Sequence, residues 1–174
     1  DRLRRGADVV SWSRAKKSLL ASAVVLILVV YATTLLLLAR AHLDLLPFLD
    51  PAVLELQIHL SYVFAGSWVT LGTISFALRS TRPDWRFFSH APVQLYVVSN
   101  CTVAYLFGFF TEPYGFVTLV GGMMVALPVF GARPTRLGLL TWLLMFCGFT
   151  GLNQLGQIPY APLFRFSPVI AGSM

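Results

Sequence analysis

Charge is the first thing this sequence lacks. Only 11% of its 174 residues are Asp, Glu, Lys or Arg, against about a quarter in a soluble domain. With 57% hydrophobic residues and a mean hydropathy of +0.75, the chain cannot clothe its surface in polar groups, and lipid is its expected solvent. Acids are scarcer still, 7 against 13 Lys and Arg. The resulting net charge of +6 does not point to nucleic acid, because the basic residues fall in short clusters between apolar runs. That is how a membrane protein marks its cytoplasmic side.

Cysteine is equally sparse. Cys101 and Cys147 both lie inside apolar runs, which excludes a disulfide framework or zinc site and leaves two small buried hydrophobes. No Cys, His and carboxylate residues share a metal-ligating spacing. A haem needs two facing histidines, and His59 and His90 belong about a bilayer apart, so no cofactor or metal is implied. No Ser/His/Asp or Cys/His set has a water-accessible place to work. Gly121-Gly122 lies mid-helix with no Lys after it and is not a phosphate loop. The first apolar run is too long for a signal peptide and no cleavage site follows it. The chain does not begin with Met and reads as part of a longer protein.

What remains are the apolar runs. A membrane-crossing helix needs about 20 mostly apolar residues. Five stretches qualify, at about 18–39, 56–78, 91–110, 114–132 and 137–153, and the start of a sixth is expected from about 167. The prediction is an all-α polytopic helix bundle, with 1–17 a basic juxtamembrane segment and 18–174 the transmembrane bundle. The connectors agree. Arg2, Arg4, Arg5, Arg14, Lys16 and Lys17 precede the first run. Arg79, Arg82 and Arg86 follow the second, and Arg133 and Arg136 follow the fourth. The alternate connectors hold only Arg40 and Arg165 among bases, but also Asp44, Asp50, Glu55 and Glu112. This alternation predicts a cytoplasmic N-terminus. Ala104 with Gly108, Gly122 with Ala126, and Gly148 with Gly151 offer close helix contacts, and Pro128 is expected to kink the fourth helix.

Polar residues at depth are the candidates for function. His59 lies about 5 Å inside a second helix entering near Leu56, within reach of water. Gln57 and Tyr62 share its end, and His59, Tyr62 and Gly66 fall on one face. Tyr105 and Glu112 mark the outer end of the third helix, Asn153 and Gln154 that of the fifth. These seven residues, Gln57, His59, Tyr62, Tyr105, Glu112, Asn153 and Gln154, could line one outward pocket for a small apolar or amphipathic ligand; the alternative is that they simply face headgroups. Asn100 belongs near the midplane, where an amide must find a protein partner. An interhelical hydrogen bond is the plain expectation, and a polar coupling element between the outer pocket and the inner side the sharper one. No charge lies within any of the five runs, which argues against ion-coupled transport.

The segments "RRGADVVSWSRAKKSLL", "FGFFTEPYGFVTLVGGMMVALPVFG" and "GLNQLGQIPYAPL", with the short hairpins between them, resemble the N-terminal multi-pass sensor regions of bacterial nucleotide-signalling proteins. The nearest are those of membrane-associated sensor type ahead of diguanylate cyclase or class III adenylate cyclase domains. The resemblance implies a domain of the bacterial inner membrane, a C-terminal cytoplasmic output domain working through c-di-GMP or cAMP, and a homodimer. It carries over no catalytic residue, and the cyclase motif itself is outside this sequence. A small transporter or permease subunit is the alternative expectation, with Asn100, Ser99 and Thr102 the thin polarity of its path. An intramembrane enzyme or assembly subunit is a third, with no reactive set to support it.

Overall fold

Asp50 and Pro51 begin the second helix before its apolar run starts. The Asp50 carboxylate accepts from the backbone N–H groups of Ala52 (2.9 Å) and Val53 (3.2 Å), and Pro51 takes the first helical position, where no N–H is needed. The computed structural model describes residues 9–46, 48–108, 114–159 and 163. It holds five α-helices: α1 Arg14–Ala41, α2 Pro51–Leu78, α3 Phe87–Phe107, α4 Tyr114–Phe130 and α5 Ala132–Gln154. Single 3-10 turns at Val9–Ser11 and Leu43–Leu45 complete the described elements. Glu112, the basic residues Arg2, Arg4, Arg5 and Arg165, and the expected sixth helix lie outside the described residues.

The all-helical expectation holds, with corrected limits. Three helices, α1, α2 and α5, are long and apolar enough to cross a membrane. Helix α4, with 17 residues, is apolar but short. Helix α3 has 21 residues and carries Ser89, His90, Gln94, Ser99, Asn100 and Thr102, which dilute it. It begins four positions before the expected start, at the Trp85, Phe87 and Phe88 ring cluster, and stops at Gly108, whose φ of 93° suits glycine. Only Gly131 separates α4 from α5. Arg133 and Arg136 therefore stand in the first turns of α5, not in a connector. Pro92 and Pro128 both lie within helices.

Successive helices run antiparallel. The Ser75 hydroxyl donates to that of Ser18 (2.9 Å), joining the end of α2 to the start of α1. Along α3 and α4, Ala104 lies against Gly115 and Tyr96 against Gly122. Val93 meets Gly138, and the Tyr105 ring stacks on Phe149 at 4.6 Å, so α3 and α5 run parallel. One end thereby collects Arg14, Lys16, Lys17, Arg79, Arg82, Arg86, Arg133 and Arg136, with Asp84 its one acid among the described residues. The other end has Arg40, Asp44, Asp50 and Glu55. Asp84 caps α1 from across the fold: its carboxylate accepts from the Arg14 N–H (3.2 Å), and the Pro83 carbonyl from the Ala15 N–H (2.9 Å). Both donors are first-turn amides with no partner inside the helix.

The surface is inverted relative to a protein in water. Helix α1 buries Ala15, Ser18, Ser22 and Thr33, and exposes Val24, Ile27, Leu28, Val30 and Tyr31. Helix α4 exposes Met124 and Val125, and α5 exposes Leu140 and Leu144. Large aliphatics outside and small hydroxyls inside are what a bilayer selects, since lipid gives helices no hydrophobic reason to associate. With the three apolar helices, this marks a membrane protein.

Two cores hold the bundle. Val93, Val97, Leu119, Met123 and Ala126 pack with Tyr96, Phe130 and Trp142 between α3, α4 and α5. Leu54, Ile58 and Leu163 pack with Leu36, Ala39, Leu49 and Phe107 at the acidic end. Helix α1 lies along α2 more extensively than either lies along the rest. The molecule thus has two units, the α1–α2 hairpin and the α3–α5 bundle, meeting along a seam.

Candidate functional site

Of the seven outer candidates, Glu112 lies outside the described residues, and the other six take up three different environments. Tyr105 and Asn153 are brought together. The Tyr105 hydroxyl donates to the Pro159 carbonyl (2.8 Å) and the Asn153 Nδ2 to the Ile158 carbonyl (3.1 Å). Each satisfies a backbone acceptor in the turn that follows α5, so the pair fixes the path of that segment. Gln154 beside them is exposed. Gln57 shares the buried stripe of α2 with Leu54, Ile58 and Ser61; it is 3% exposed and its Oε1 finds no donor. His59 and Tyr62 point outward from the same helix. The common face expected for His59, Tyr62 and Gly66 exists, and it is the exposed one: a Cβ at Gly66 would meet nothing within 4 Å. The His59 Nδ1 lies 2.7 Å from the Glu55 carbonyl, one turn inward of the Arg40–Glu55 ion pair (3.3 Å). Because α2 starts at Pro51, His59 sits about 12 Å along it at the helical rise, deeper than a start near Leu56 would give.

Asn100 forms the interhelical bond that its depth predicts. Its Nδ2 donates to Thr118 Oγ1 on α4, and the Tyr96 hydroxyl donates to the Thr118 carbonyl. Thr118 is thus gripped twice by α3. Asn100 Oδ1 is buried without a donor. Ser99 and Thr102 give their hydroxyl protons to the Leu95, Tyr96 and Val98 carbonyls of their own helix. Their polarity is turned back on the backbone rather than strung across the bundle.

Two grooves lie along the seam, and none of the six described outer candidates lines either. One, of about 480 Å³, runs between α2 and α3, past Val63, Ser67, Thr70, Phe87, Ala91 and Leu95. The Ser67 and Thr70 hydroxyls donate to the Val63 and Gly66 carbonyls, so its polar groups are spent. The other, of about 340 Å³, lies between α1 and α4 with Trp68 and α3 contributing to its walls. Sequence reasoning missed both. Apart from Lys17, their lining residues are apolar or small and scattered over four helices, and no local signal sets them apart from ordinary lipid-facing positions.

Among the described residues, no three His, Cys, Asp or Glu side chains cluster to hold a metal ion. No family model matches the chain, and neither a curated protein nor a solved structure matches it.

Proposed function

We propose that this chain is a sensory and anchoring domain of the bacterial cytoplasmic membrane. It works as a homodimer and regulates a nucleotide cyclase that follows it in the cytoplasm. Its six spans, with both ends inside, put the basic end of the bundle at the cytoplasmic face, in keeping with the positive-inside bias.

The observation that carries this reading is the seam. Each groove has walls from both helical units, so an occupant touches both and has different contacts in any two arrangements of them. A ligand shifts a conformational equilibrium only through such differential affinity. The apolar walls suit a lipid-like or amphipathic signal, and the exposed His59 lies toward the end that such a signal would reach from outside.

The test uses the full-length protein in membranes, with cyclic-nucleotide output as the readout. Ser67→Trp and Ala91→Trp each fill the α2–α3 groove from one side. Both are expected to change output at unchanged membrane abundance. Wild-type output from both variants would end the proposal.

A further inference from the structure

We infer that the α1–α4 groove is a binding site for one anionic phospholipid of the leaflet at the basic end, with an acyl chain along the groove and the headgroup at Lys17. The inference requires that the bundle sit in a bilayer and is independent of any signalling role.

The groove's length is the first reason. Its α1 wall runs from Lys17 through Val24 to Leu28, about 16 Å at the helical rise. Its α4 wall runs from Phe130 back to Gly121, about 14 Å on the same measure. The hydrocarbon core of a bilayer is about 30 Å thick, so the groove begins at one boundary and ends near the midplane. That is the reach of a chain from a single leaflet.

Its chemistry is the second. Apart from Lys17 and the Tyr96 hydroxyl, which is bonded to Thr118, the named lining is hydrocarbon, glycine and the buried Trp68. The Trp68 Nε1 is buried without a partner, and a single donor is too little to hold ordered water, whereas an acyl chain gains contact along the whole length. The residues flanking the groove on the outer surface, Val24, Leu28 and Val125, are themselves exposed, so a lipid can enter sideways.

Charge is the third. Lys17 stands at the basic end, where the one described acid, Asp84, already caps α1. Arg79 is taken up by the face of Phe76, 3.9 Å from the ring centroid. The only ion pair among the described residues, Arg40–Glu55, is at the opposite end. Lys17 therefore has no carboxylate partner among the described residues, and an anionic headgroup supplies the missing charge. Anionic lipids and juxtamembrane lysines attract each other in this way at cytoplasmic leaflets.

The experiment measures lipid retained by the purified full chain in native mass spectra, with phosphatidylglycerol and phosphatidylcholine of equal chain length offered in turn. One phosphatidylglycerol per chain is expected, held in preference to phosphatidylcholine. Lys17→Gln should weaken that retention about fivefold, the weight of one lysine near an anionic headgroup. Gly121→Leu fills the groove and should abolish it; an added Cβ there meets nothing within 4 Å, so membrane abundance should stay at the wild-type level. Val24→Trp, at an exposed position on the facing wall, is the second blocking variant. Free glycerol phosphate should not compete. Equal retention of both lipids, undiminished selectivity in Lys17→Gln, retention in both blocked variants, or displacement by glycerol phosphate would each overturn the site.

Discussion

The two helical units solve the same problem with different side chains. The α1–α2 hairpin closes on hydroxyls: Ser18, Ser22 and Ser75 are buried, and Gly72 lets Ser22 approach to 3.4 Å of where a Cβ would be. The α3–α5 bundle closes on knobs and holes: Tyr96 fills the space over Gly122, Val93 that over Gly138, and Ala104 that over Gly115. In the first unit the backbones are drawn together by small polar groups. In the second they are spaced by rings and branched chains seated on glycine. Lipid solvates both exteriors, so each interface must supply its own packing. The knob-and-hole version is the less forgiving, because no free volume is left.

Filling a hole should do the most damage. In Gly115→Leu the added Cβ would lie 2.2 Å from the Ala104 Cβ and 3.3 Å from its Cα, and backbone cannot step aside. About 3 kcal/mol of destabilisation is expected, read as a lowered unfolding midpoint in detergent. Gly148→Leu, with nothing within 4 Å, should be silent in the same assay. Ser18→Leu crowds the hydroxyl seam and should cost about 2 kcal/mol, while Ser18→Ala, which only removes the Ser75 bond, should cost about 0.6 kcal/mol. If the two Ser18 variants behave alike, the hairpin is not close-packed and the contrast between the units dissolves. Asp84→Ala removes the cap that the α2–α3 loop places on α1, with an expected loss of about 1 kcal/mol, and Asp84→Asn, which keeps an acceptor, should lose less. Asn100→Leu breaks one bond to Thr118 but also removes an unpartnered buried oxygen, so its cost should stay near about 0.6 kcal/mol. Glu55→Gln should have the smallest measurable effect, at most about 0.5 kcal/mol for an exposed ion pair, with the same unfolding midpoint as its check.

The helices were legible wherever an apolar run was uninterrupted. Helices α1 and α2 stand out for that reason, and the alternating charges of their connectors foretold the segregated ends. Limits were less legible where local chemistry extends a helix into polar sequence: Asp50 caps α2 ahead of its apolar run, and Arg14 begins α1 on an acid 70 positions away. Two of the expected small-residue contacts proved right, at Ala104 and Gly122. Gly148 and Gly151 have no described neighbour within 4 Å of a Cβ. The serine seam is illegible in the sequence, because single hydroxyls in an aliphatic run carry no pattern until the partner helix is in place. Periodicity put His59, Tyr62 and Gly66 on one face correctly, but a helical wheel cannot say which face turns outward. Polarity marks Tyr105 and Asn153 in the sequence, but the bonds they make run to backbone carbonyls in a turn whose path no spacing rule supplies.

Leu163 governs the route of the polypeptide. Its carbonyl accepts from the Asp50 N–H (2.9 Å), its own N–H donates to the Leu106 carbonyl (3.1 Å), and its side chain, 2% exposed, is seated beside Leu54 and Ile58. One residue is thus stitched to the entrance of α2 on one side and to the exit of α3 on the other. The thread that leaves α5 has already been carried over to the neighbouring hairpin by this position. At Leu163 the polypeptide therefore answers to both helical units at once rather than to α5 alone.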